Sequence, residues 1–179
     1  MHSYENQNSK QMKKIGLFYS FNSNKTAKIG EKIFEAFGEV DIEKVNAEEV
    51  NEENFTRFDN IIVGVPTWFD GELPNYWDEF VPALEDLDLK NKQIAIYGLG
   101  DQKGYPENFN DGVGIFAELV EKQGANVIGT TSCEGYEFES SRAKRGDRFC
   151  GLCIDQENQA RLTKKRIAGW VEQLKKEFN

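Results

Sequence analysis

A chain of 179 residues with 39% hydrophobic and 12% aromatic residues is long enough to bury one substantial core, so one compact domain is expected. Thirty-one acids against 22 bases leave a formal charge of −9, the wrong sign for neutralising phosphates, which excludes nucleic acid and suits solubility and steering toward basic proteins. No apolar run reaches membrane-spanning length and no signal-peptide core follows Met1; the only histidine, His2, lies in a polar stretch, 1–12, read as a disordered tail, so neither histidine catalysis nor a metal site is expected.

Along the chain, strand-like and helical runs alternate. Ile15 to Tyr19 is a short apolar strand, and Lys25 to Phe37 places Ile29, Ile33 and Phe37 on one helical stripe. Val40 to Val45 alternates as a partly exposed strand, and Ile61 to Val65 is apolar throughout, as a central parallel strand is. From Asn75 the residues Trp77, Phe80, Val81 and Leu84 form a helical face that Pro82 should interrupt. Lys92 to Tyr97 is the fourth strand. Val113, Phe116, Ala117 and Val120 line the next helix, with Gly124 as its stop.

Asn126 to Gly129 opens a fifth strand, and Ile167, Trp170, Val171, Leu174 and Phe178 face the core from a closing helix. Five strands alternating with helices predict an α/β fold, a parallel sheet covered on both faces, in one domain spanning 13–179. The polar, glycine-bearing segment Thr130 to Arg148 breaks the alternation and reads as an insertion within or beside the last strand. Cys150 and Cys153 have C-x-x-C spacing, but on a strand running from Arg148 to Ile154 they point to opposite faces. With Cys133 they are expected to be ordinary thiols in a reducing cytoplasm.

Three loops at strand ends carry the chemistry. The first, Ser20-Phe21-Asn22-Ser23-Asn24-Lys25-Thr26, is rich in hydroxyl and amide groups and runs into a helix N-terminus. Such a loop cradles a phosphate with few formal cations, although Ser23 or Asn24 serving as a simple helix cap is the plainer reading. It lacks the glycines of a P-loop. The second, Pro66-Thr67-Trp68-Phe69-Asp70-Gly71, follows the most apolar strand and offers Trp68 to a flat ring or to a neighbouring helix. The third runs from Leu99-Gly100-Asp101 through Gly104-Tyr105 to Asn108-Phe109. Its glycines imitate a dinucleotide fingerprint, but they follow the fourth strand and Pro106 interrupts the turn. They suit close backbone approach to a flat ligand instead.

Taken together, Gly64-Val-Pro-Thr-Trp68, Gly100-Asp-Gln102, Gly104-Tyr105, Asn108-Phe109 and the run from Gly151 through Asp155 to Asn158 resemble the flavodoxins, carriers that bind flavin mononucleotide (FMN). The likeness covers Lys14 to Phe178, and the segment before Asp155 is similar to the loop that marks the long-chain branch. The resemblance implies a flavodoxin-like doubly wound sheet of order 2-1-3-4-5, with the phosphate in the first loop and the flavin ring between Trp68 and Tyr105. Backbone groups of the second and third loops would meet the pyrimidine edge, and Asp155 would lie near the ribityl chain.

This chain departs from the family pattern at Phe21, where a hydroxyl residue is usual, at Asn24, where glycine is usual, and at Leu99, often threonine. Ser23 and Thr26 keep hydroxyls, and Asn24 tolerates the positive φ that glycine would supply. Phe69 precedes the peptide that, in the family, turns its carbonyl toward the flavin on one-electron reduction. A bulky residue with positive φ strains that turn.

The function implied is one-electron shuttling by a low-potential carrier, with no catalytic side chain. Asp70 and Asp101 beside the flavin would disfavour its anionic, fully reduced form. Partners would be basic-surfaced redox proteins, a reductase using NAD(P)H as donor and low-potential acceptor enzymes, met by a monomer; the acids Glu79, Glu85, Asp86 and Asp88 either orient them or form a plain solvated helix face. The alternatives are an NAD(P)H-dependent FMN quinone reductase on a similar fold and a flavin-free binding module.

Overall fold

The structure, a computed structural model, describes residues 11–179, so the expected tail falls outside the described residues up to residue 10. Met12 is half-buried and packs against the core. Five parallel strand positions form the main sheet: β1 (Ile15–Tyr19), β2 (Ile42–Asn46), β3 (Asn60–Gly64), β4 (Gln93–Leu99) and β5 (Asn126–Ile128), in the order β2-β1-β3-β4-β5. The doubly wound topology is the one implied by the resemblance.

Helices cover both faces. On one side α1 (Lys25–Phe37) and α6 (Gln156–Glu177) enclose Ile15, Leu17, Tyr19, Ile29, Ile33, Trp170 and Leu174. On the other, α2 (Glu52–Thr56), α3 (Asn75–Asp78), α4 (Val81–Leu84) and α5 (Asp111–Lys122) supply residues that pack with Phe18, Ile61, Val63, Ile94 and Ile96. Strand periodicity explains the division, since alternate residues of β1 enter opposite cores. Two buried indoles anchor the layers, and neither wastes its donor: Trp77 Nε1 donates to the Gly64 carbonyl (3.0 Å) and Trp170 Nε1 to that of Gly129 (2.8 Å).

Pro82 interrupts the helical run after Asn75 as expected. It stands in the first turn of α4, where its missing N–H costs nothing, and so separates α3 from α4. The second strand starts later than its alternation suggested, because Val40 is used in a turn whose N–H reaches the Phe37 carbonyl. A single 3-10 turn, Ala47–Glu49, and α2 are too short to have shown a period.

The fifth strand is split by the insertion. β5 pairs with Gln93–Ala95 of β4, and β9 (Leu152–Ile154) pairs with Tyr97–Leu99 of the same strand. Between them, β6 (Thr131–Ser132), β7 (Lys144–Arg145) and β8 (Arg148–Phe149) form a small antiparallel sheet. Arg148 to Ile154 is therefore not one strand, and the expectation of opposite faces for Cys150 and Cys153 is corrected: both thiols enter the same core. Gly151 makes the break, passing so close to β4 that a Cβ there would lie 2.2 Å from the Ile96 carbonyl oxygen. Burial pushes the Cys150 thiol up to about 11 and Cys153 well above the usual range, so both are inert, protonated thiols at neutral pH.

Candidate functional site

The three loops named from the sequence leave the carboxyl ends of β1, β3 and β4 and meet along one edge of the sheet. There the connections diverge, β1 leading to β2 on one side while β3 and β4 follow on the other. The flavodoxin-like order is itself a standing example of the rule that ligands lie at such a switch point.

The first loop is folded by its own side chains. Ser23 Oγ donates to the Ser20 carbonyl (2.7 Å) and accepts from the Ala27 N–H (3.0 Å), so Ser23 caps α1 although Asn24 stands at the cap position. Asn24 has φ −82°, so the turn does not call on its tolerance of positive φ. The N–H groups of Asn24, Lys25 and Thr26 meet no acceptor among the described residues, as the first turn of a helix dictates. Tyr97, buried in β4, donates to the Thr26 carbonyl (3.0 Å) and fixes that helix end against the sheet.

The second loop is closed by paired backbone hydrogen bonds between Trp68 and Glu72 (2.8 and 2.7 Å). Within it Phe69 adopts φ +46° and is 75% exposed, so a bulky residue does occupy the left-handed region. Thr67 Oγ1 accepts from the Gly112 N–H (2.9 Å), seating the loop on α5. Trp68 stands edge-on to Tyr76 at 6.2 Å between centroids, with the ring partly open to solvent.

The third loop turns about Asp101, whose Oδ1 accepts from the N–H groups of Gly104 (2.7 Å) and Lys103 (3.1 Å) and from Asn158 Nδ2 (2.8 Å). The Gly104 N–H, followed by the Asn158 amide, holds the Asp101 carboxyl below the usual carboxylate range. Tyr105 emerges from this turn 62% exposed.

These loops bound a continuous trough. Ser20, Asn22, Ser23 and Asn24 line a cleft of about 530 Å³ that shares Lys25, Thr26, Pro66 and Trp68 with a second of about 290 Å³. The second, which also touches Leu99, shares Thr67, Trp68, Gly100, Asp101 and Tyr105 with a third of about 390 Å³, completed by Phe69 and Asn108. Trp68 and Tyr105 thus line one cleft from different loops. Another groove, about 550 Å³, lies between the insertion and α6 beside Arg148, Lys165 and Arg166, away from all three strand-end loops.

Five of the named residues do not line the trough. Phe21 turns its ring onto Tyr19 (5.1 Å) while its N–H donates to Asn46 Oδ1 (3.2 Å). Asp70 and Gly71 form the outer rim, where the Asp70 carbonyl accepts from Asn108 Nδ2 (3.2 Å). Phe109 is buried under the insertion, stacked on Phe138 at 5.2 Å. Asp155 is fully buried beneath the third loop, and its carboxylate is taken by the N–H and side-chain amide of Gln102 (3.1 and 2.7 Å) and by Asn158. Conversely, Glu48 and Tyr76 line the first cleft though no local pattern marked them, because each reaches it from a distant element.

The donor set suits a phosphorylated ligand bearing a flat ring. Free helix N–H groups wait at one end of the trough, and Tyr76 Oη, buried and without a partner among the described residues, belongs to the same cleft. Two open aromatic rings wait at the other.

Comparison with known proteins agrees with this arrangement. The profile of the family described as Flavodoxin matches residues 17–170. A flavodoxin of Trichodesmium erythraeum is 43% identical over 169 residues, covering 93% of this chain and 99% of that one. One of Klebsiella pneumoniae is 39% identical over 173 residues, covering 92% and 98%. The crystal structure of Fusobacterium nucleatum flavodoxin bound to flavin mononucleotide superposes with a TM-score of 0.89 at 34% identity, covering 94% of this chain and 100% of that one. The switch-point trough, the strand order and these relatives lead to one conclusion: this chain belongs to the flavodoxin family.

Proposed function

We propose that the trough holds FMN and that the protein carries single electrons between redox proteins. The observation that carries this reading is the pairing of Trp68 and Tyr105, two exposed rings from different loops lining one cleft of about 390 Å³ at the sheet's switch point. Exposed rings gain little from water and much from a stacked planar partner. FMN when bound supplies the one-electron chemistry.

The chain's own residues then have separate tasks. The N–H groups of Asn24, Lys25 and Thr26, with the Thr26 hydroxyl, hold the phosphate at the positive end of α1. Trp68 and Tyr105 clamp the ring and exclude water from its faces. Asp101, held ionised by Gly104 and Asn158, keeps a negative charge beside the cleft, which opposes a further negative charge there and favours a low potential. No side chain is required to act as acid, base or nucleophile.

Donors and acceptors are basic-surfaced proteins of the reductase and low-potential enzyme type, reached by a monomer. Three free thiols support a reducing, cytoplasmic setting. No helix among the described residues is long and apolar enough to cross a membrane. An absorbance-monitored reductive titration of the purified protein tests the reading. Bound flavin reduced in two separate one-electron steps is expected. Oxidation of NAD(P)H by the isolated protein would favour a quinone reductase instead, and a colourless protein that takes up no added FMN would favour a flavin-free module.

A further inference from the structure

The loop offered to the phosphate already holds an anion of the protein's own. Glu48 stands in the 3-10 turn after β2, and its carboxylate accepts from Ser20 Oγ (2.6 Å) and from Asn22 Nδ2 (2.8 Å). One bracket fixes this placement: Asn46 Oδ1 accepts from both the Glu48 and the Phe21 N–H groups, each at 3.2 Å, tying the turn after β2 to the loop after β1. A serine hydroxyl has one proton, so Ser20 cannot donate to a ligand while it donates to Glu48.

The charges around Glu48 leave it unbalanced. The Ser20 hydroxyl, then the Asn22 amide, hold its carboxyl below the usual range, so it is ionised at neutral pH. Lys25, the one cation lining the cleft among the described residues, is already paired with Glu157 on α6. Tyr76, facing the cleft from α3, stays a neutral phenol because burial, and secondarily Glu48 itself, raises its pKa.

Resting on the FMN reading above, we propose that Glu48 is a built-in competitor of the cofactor phosphate. It occupies the Ser20 and Asn22 donors in the flavin-free chain and must give them up as the phosphate enters. The backbone N–H groups at the start of α1 remain open, so the phosphate is still held, but against one fixed negative charge. Glu48 is then a specificity-determining residue: it narrows this protein's preference for FMN over riboflavin, which has the same ring and no phosphate.

The test is fluorescence titration of the flavin-free full-length chain, wild type and Glu48→Gln, with FMN and separately with riboflavin. Glutamine keeps an oxygen that accepts the Ser20 proton, so the bracket survives while the charge is lost. FMN is expected to bind about fivefold tighter to Glu48→Gln, with riboflavin affinity unchanged within about twofold, the scale of one screened like-charge contact. FMN affinity that stays within about twofold, or falls, overturns the proposal, as does equal tightening toward both flavins. Failure of both proteins to bind either flavin would instead overturn the FMN reading itself.

Discussion

Phe69 is held at φ +46° with three-quarters of its surface in water, so packing returns little for the left-handed strain. That strain is worth about 1–2 kcal/mol for a residue with a Cβ, while glycine would cost about 0.5–1 kcal/mol in unfolded-chain freedom. Phe69→Gly should therefore alter stability by no more than about 1.5 kcal/mol in urea unfolding. Its effect belongs to the peptide that follows: freed to rotate, it should move the two one-electron potentials of the bound flavin apart, raising the first. A reductive titration in which the separation is unchanged or smaller counts against this role. Tyr105 is the converse case, an exposed ring with little packing to lose. Tyr105→Ala should leave the thermal midpoint of the flavin-free chain unchanged, weaken FMN binding at least about tenfold and shift its potentials. Both residues were legible in the sequence because exposed aromatics in polar loops stand out. Glu48 was not, since its importance arises only when Asn46 folds the end of β2 onto the first loop.

At the scale of elements, the third loop is held by the end of β9 and the residue that follows it. The Gly100 N–H donates to the Ile154 carbonyl (2.9 Å), and Asp155 both caps α6 and receives Gln102. Asp155→Ala would leave the Gln102 N–H and amide unpaired in a buried place and remove the cap on the Asn158 N–H, and should lower stability by about 3 kcal/mol. Urea midpoints measure this directly, and the serine variant, which restores a cap alone, should recover only part of the loss. The long elements were readable because their periodicity is also their packing: β1 and α1 lie where the apolar stripe places them. The split of the fifth strand was readable only as an interruption. Its pairing of two short pieces with opposite halves of β4 is a tertiary fact without local signature. Likewise the sequence placed Phe109 at the cofactor loop, but the aromatic cluster of the insertion draws it into the core.

Across the whole molecule the charge is strongly polarised. Residues 31–88 carry seventeen acids and three bases, whereas residues 141–179 carry ten bases and five acids. The acidic segment includes Glu48, Asp70 and Glu72 around the trough, so under the proposed reading the edge that holds the flavin would also attract a positive partner. Electron transfer to a basic haem protein, followed by stopped-flow absorbance, should slow at least about threefold between 0.05 and 0.5 M salt as screening shortens the reach of this field. A rate indifferent to salt would remove charge from partner recognition.

The two-piece fifth strand also orders events in time. The third loop takes its shape from Asp155, 53 residues further along the chain than the Gln102 it holds. A ribosome delivers the first loop, both aromatic rings and β4 well before it delivers β9 and the cap of α6. Under the proposed reading the flavin cleft would be finished only once β9 and the start of α6 have emerged, and flavin loading would wait for them.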